Sequence, residues 1–138
     1  MEKEFVPYEL AVKLKELGFD EPCFATYDED KNFELQDFFQ TYETFPSHIV
    51  SAPTFSQAFR WFREKYKLHT EIRSYTERFF TIVIQECKEI VKFIEYGGIN
   101  LKFNTYEEAE LACLKKLVEL VEKIKEDDEM RSADIVGY

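Results

Sequence analysis

The sequence predicts an α+β domain in which helices pack on one face of an antiparallel sheet, in the order α-β-β-α-β-β-β-α. Three observations carry this. Residues 53–67 and 105–125 each open with a capping signal and then repeat apolar side chains at helical spacing. The block between them is β-branched and aromatic, with stretches of period-two alternation. The chain has 138 residues, 45% hydrophobic and 17% aromatic, which suits a single domain with a real core although 33% of its side chains are charged.

Taken in order, Pro7 opens a first helix, Tyr8, Ala11, Leu14 and Leu17 recur along one face, and Gly18 is its stop. Cys23–Tyr27 and the run 32–39 (NFELQDFF) form a hairpin around the polar tetrad Asp28-Glu29-Asp30-Lys31. Residues 40–52 show no period and read as a connection. The second helix starts at Thr54, with Gln57 at the capping-box position, and Phe55, Ala58, Phe59, Phe62 and Tyr66 form its apolar stripe. Strands follow at 68–75, 78–86 and 88–96, with a Gly97-Gly98 break and a further extended run at 99–103. The strand through 79–84 is apolar on both faces and is expected at the centre of the sheet. Thr105 and Glu108 cap the last helix, whose wide face holds Tyr106, Ala109, Cys113, Leu114, Leu117, Leu120, Val121 and Ile124. The domain spans 1–125, and 126–138 reads as an acidic, flexible tail.

Composition narrows the function classes. The N-terminus is charged and carries no apolar leader, and no apolar run nears the ~18 residues of a membrane span. Three widely spaced cysteines do not form a disulfide framework, so a cytoplasmic protein with reduced thiols is expected. The net charge of -10 repels nucleic acid, and the basic excess is confined to the middle third. Only two histidines occur, neither at metal-ligand spacing from another histidine or a cysteine, so no metal is expected. No phosphate-binding loop, dinucleotide fingerprint or nucleophile elbow occurs, so neither a cofactor nor a catalytic residue is assigned.

Three features stand apart from a plain globular reading. Trp61, the single tryptophan, lies about 120° or more from the centre of its helix's apolar stripe, close in angle to Gln57 and Glu64. Either a second hydrophobic layer covers it or it is an exposed interface anchor. Glu110 interrupts the apolar arc of the last helix, where the helix dipole is the simplest account. Arg60, Arg63 and Lys67 flank the core stripe of the second helix and, with Arg73 and Arg78, could line a basic patch; a solvated face is the competing account.

The segments 6–24 (VPYELAVKLKELGFDEPCF), 51–69 (SAPTFSQAFRWFREKYKLH) and 103–121 (FNTYEEAELACLKKLVELV) resemble a family of small proteins of unassigned function from gut Bacteroides and their phage or mobile elements. The resemblance covers about half of the chain. It implies a cytosolic accessory protein and carries over no catalytic residue.

Three functions follow as expectations. The first is a non-enzymatic interaction module, whose partner is another protein or its own copy, with Trp61, Gln57, Arg60 and Glu64 as contact residues. The alternative is nucleic-acid binding, because αβββα is also the order of double-stranded RNA-binding domains. The acidic start of the last helix, Glu107, Glu108 and Glu110, opposes it. A third is an acidic nucleic-acid mimic that occupies a DNA-binding partner.

Overall fold

The helix ends explain where each element stops. The computed structural model describes residues 2–40, 48–74, 77–88, 91–96 and 101–136, the backbone alone at 37–40, 91, 95–96 and 131–136. After a 3-10 turn at Glu2–Glu4, helix α1 runs Tyr8–Glu16 and closes in a Schellman motif. Phe19 N–H donates to the Leu14 carbonyl at 2.9 Å and Gly18 N–H to Lys15 at 3.0 Å, with Gly18 at φ +99°. A side chain at that φ would be strained. The motif turns the chain back so that Phe19 enters the core, 1% exposed.

The strands are β1 (Cys23–Tyr27), β2 (Phe33–Gln40), β3 (Val50–Ala52), β4 (Leu68–Ser74), β5 (Phe80–Cys87) and β6 (Val91–Tyr96), with helices α2 (Phe55–Tyr66) and α3 (Tyr106–Val136). The fold is α+β, and its strands divide into two antiparallel three-stranded sheets, ordered β2-β1-β3 and β4-β5-β6. The hairpin turn is held by Asp28, whose carboxylate accepts from the Asp30 and Asn32 N–H groups at 2.9 Å each, while Lys31 takes φ +66°. A short polar loop with an Asx turn thus does the work of Asn-Gly. β3 corrects the sequence reading of 40–52 as connection: three residues are too few to show a period, and this strand forms by pairing with β1, Ala25 opposite Ala52 and Tyr27 opposite Val50. Part of that stretch, 41–47, lies outside the described residues, as do Gly97-Gly98 and the start of the run at 99–103. Its end is visible as one bridge, Phe80 to Phe103.

β5 is central in its sheet, as the two-faced apolar pattern predicts, and Thr81, Ile82, Val83 and Ile84 are all buried. α2 packs on β4, and α3 packs on β4, β5 and α2, so the αβββα unit has both helices on one face of its sheet. α1 packs on β3 and α3. One cluster joins these layers, including Leu14, Phe19, Tyr27, Phe62, Ile84, Leu114 and Leu117. Phe59 is half-buried against it.

α3 extends past the predicted end at Lys125 to Val136. The exposed residues Glu126–Met130 have no apolar face to announce a helix, and the last turns continue one that packing has already nucleated. Two side chains tie it to α1: Lys125 Nζ donates to the Leu17 carbonyl at 2.8 Å, and Lys13 pairs with Glu122 at 3.2 Å. Of its predicted wide face, Tyr106 and Ile124 are exposed, at 46% and 37%, while Val118 is buried. No described helix is long and apolar enough to cross a membrane.

Candidate functional site

α2 carries most of the side chains that the sequence singles out. Thr54 caps it, its hydroxyl accepting from the Gln57 N–H at 3.1 Å, and Lys67 ends it in the left-handed conformation at φ +59°. The predicted capping box is only half formed. Gln57 does not reach back to the cap; its amide nitrogen donates to the Pro22 carbonyl at 2.7 Å, and its amide oxygen accepts from the Cys23 thiol at 3.7 Å. Gln57 therefore ties α2 to the start of β1. At α3 the reciprocal bond lands one residue before the cap: Glu108 N–H donates to the Thr105 hydroxyl at 3.1 Å, and the Glu108 carboxylate accepts from the Asn104 N–H at 3.2 Å.

The reading of Trp61 as an exposed anchor is corrected. It is 5% exposed, with Phe19, Phe62 and Tyr66 edge-on at 5.6, 5.0 and 5.5 Å and Lys65 Nζ above the ring at 5.1 Å. The sequence stripe is right, but a second wall, the chain leaving α1 with Phe19, covers a further arc of the helix. The buried arc, Phe55, Ala58, Trp61 and Phe62, is rotated toward Trp61 by roughly 50° from the stripe read off the sequence.

That rotation leaves Ser56, Arg60, Arg63, Glu64 and Lys67 on the exposed side of α2. Where it meets the entry to β1 lies an open hollow of about 870 Å³, lined by Glu21, Pro22, Phe24, Thr54, Ser56, Gln57, Arg60 and Arg63. Arg60 stands 3.6 Å from Glu21, an exposed pair worth little to stability. Phe24 is 46% exposed beside them. Of the predicted contact residues, Gln57 and Arg60 meet here and Arg63 joins them; Trp61 backs the helix, and Glu64 does not line the hollow. Phe24 was missed because an aromatic in an alternating strand reads as core, and here β1 turns it outward.

The five-residue basic patch does not assemble. Arg73 lies on the face of β4 away from the helices, its guanidinium forked onto Glu71 at 2.9 and 3.0 Å. Glu71 is held below the usual carboxylate range by that bond. Arg78 is exposed in the connection after β4, and Lys67 Nζ turns back to the Glu64 carbonyl at 3.3 Å.

A second concavity, about 410 Å³, lies between the N-terminal turn and the start of α3, lined by Glu2, Lys3, Phe5, Pro7, Tyr27, Phe55, Glu107, Glu110 and Leu111. Glu110 stands past the first turn of α3, beyond the reach of most of the dipole, and its pKa is raised, first by burial and then by Glu4 and Glu107. Glu107 and Glu108 already occupy the first turn, where the dipole acts.

Cys23 and Cys113 are buried, and burial pushes both thiols up to about 12, so they stay protonated and poorly nucleophilic at neutral pH. Among the described residues no three His, Cys, Asp or Glu side chains gather as a metal site would require. The chain matches no protein-family model, no curated protein and no solved structure.

Proposed function

We propose that this protein is a non-enzymatic interaction module whose contact surface is the hollow beside α2, and that its partner presents an acidic, partly apolar protein segment. One observation carries the reading: an exposed phenylalanine, Phe24, shares a concave surface with two exposed arginines, Arg60 and Arg63. Aromatic and arginine side chains are the residue types that dominate protein interfaces. The hollow is also preset, because Gln57 fixes the Pro22 carbonyl and the cap fixes Gln57. An accessory role of the kind implied by the resemblance to small Bacteroides and mobile-element proteins belongs to the same proposal.

Nucleic-acid binding is the second reading, favoured by Arg60, Arg63 and Lys67 on the exposed side of the first helix of an αβββα unit. Opposing it, the second helix of that unit begins with exposed Glu107 and Glu108, which repel phosphate.

The test is affinity capture from the native cell extract with mass spectrometry, then titration of the captured partner against the parent chain and the Arg60→Glu, Arg63→Glu double variant. Loss of binding in the variant is expected. Equal binding would remove the hollow from the interface, a light-scattering mass of two chains without a partner would make the occupant a second copy, and capture of nucleic acid would favour the second reading.

A further inference from the structure

The acidic groove has the size of a small-ligand site, since such pockets run from roughly 300 to 1,000 Å³ and this one is about 410 Å³. Its floor is apolar and aromatic: Phe5, Tyr27, Phe55 and Leu111. The floor is fixed, because the Tyr27 hydroxyl donates to the Val6 carbonyl at 2.8 Å, the Tyr27 ring stacks edge-on against Phe33 at 5.7 Å, and Val6 N–H donates to the Pro53 carbonyl just before α2. The rim is acidic. Glu2, Glu107 and Glu110 line it, Glu4 acts on Glu110 from nearby, and Lys3 is the one base among the described lining residues. Among the described residues none of these four carboxylates makes an ion pair.

Glu110 is the informative member. It is half-buried beside Ala109 and Leu111, where a neutral residue would relieve both desolvation and repulsion from Glu4 and Glu107. An uncompensated negative charge over an apolar floor is complementary to a positive charge on an apolar body. A calcium or magnesium ion does not suit it, since these ions take six or more oxygens and gain nothing from an aromatic floor.

We propose that this groove binds a small organic cation, an ammonium or guanidinium carried on an apolar body, with the charge between Glu107 and Glu110 and the body on Tyr27, Phe55 and Leu111. This inference is independent of the protein partner at the other hollow. It assigns Glu110 a role as charge partner that neither the core nor the helix end requires of it.

The experiment titrates the full chain at neutral pH and low salt with phenethylammonium, agmatine and cadaverine, and with the neutral analogue 2-phenylethanol, following amide shifts by NMR and heats by calorimetry. At least one cation should bind with a dissociation constant below roughly 10 mM, with shifts confined to the groove. The neutral analogue should bind about fivefold or more weaker than phenethylammonium, and Glu110→Gln should weaken the cation by a similar factor. Arg63→Glu, at the other hollow, should leave binding unchanged. The inference fails if no cation binds, if the neutral analogue binds as well as phenethylammonium, or if Glu110→Gln, folded and at least as heat-stable as the parent, binds undiminished.

Discussion

Two concave surfaces flank the start of α2, and they carry charge in opposite ways. Beside α2 the arginines Arg60 and Arg63 stand in solvent, and the nearest acid, Glu21, is 3.6 Å from Arg60. Beside α3 Glu110 is half-buried in a groove that Phe5, Tyr27 and Phe55 also line, with Glu4 and Glu107 adding repulsion. Exposed charge costs the fold almost nothing, whereas half-buried uncompensated charge works against it. The first surface could be basic by the ordinary habit of a solvated helix face; the second is acidic against the interest of stability. Its charge is therefore the stronger hint of a ligand.

The most disruptive test of this comparison strikes its premise, that α2 has one buried and one open side. Trp61→Ala should cost about 3–5 kcal/mol in urea denaturation, as truncation of a buried aromatic does. The parent's tryptophan emission should be blue-shifted and resist quenchers. A variant as stable as the parent would return Trp61 to the surface and dissolve the division.

Reversing the basic side comes next. Arg60→Glu with Arg63→Glu should change folding stability by less than about 0.5 kcal/mol each, since both side chains are exposed, yet weaken the partner by about 2 kcal/mol or more. A large loss of stability would show that these arginines serve the fold.

The same surface can be probed with polyanions. Duplex RNA should bind no better than the ~10⁻⁴ M of weak non-specific association at physiological salt. A micromolar complex that weakens steeply with salt and is lost in the double reversal would transfer the basic surface from protein to nucleic acid.

The smallest effect is the sharpest for the acidic side. At neutral pH Glu110→Gln should raise the melting temperature by about 1–3 °C. The folded state raises the Glu110 pKa above its unfolded value near 4.5, through burial first and then Glu4 and Glu107. Glu110 thus binds its proton more readily folded than unfolded, and its contribution is favourable below the unfolded value and lost as pH rises through the folded one. The advantage of the glutamine variant should accordingly shrink as pH falls through that window. Glu2, Glu4, Glu107, Lys3 and Tyr106 surround the site, so the comparison is read as a difference between the two chains at each pH. A difference that stays constant from pH 7 to pH 4 would mean Glu110 is not the strained group.

Much of this was legible locally. The stop of α1 at Gly18, the caps at Thr54 and Thr105, the central place of β5 and the αβββα order follow from turn chemistry, hydrogen-bond needs at helix ends and side-chain period, all set by neighbours a few residues away. Gln57 and Arg60 were also legible as surface residues of α2, because they lie off its apolar stripe. The tertiary structure decided what depends on partners distant in sequence. β3 exists only because β1 offers it an edge, and the strands divide into two sheets accordingly. Gln57 leaves its capping box for the Pro22 carbonyl 35 residues away. Trp61 is buried because Phe19 arrives to cover it, and Glu110 is strained because Glu4 and the N-terminal turn close against it. A helical period reports which residues share a face, but how many faces are covered depends on what the rest of the chain brings to them.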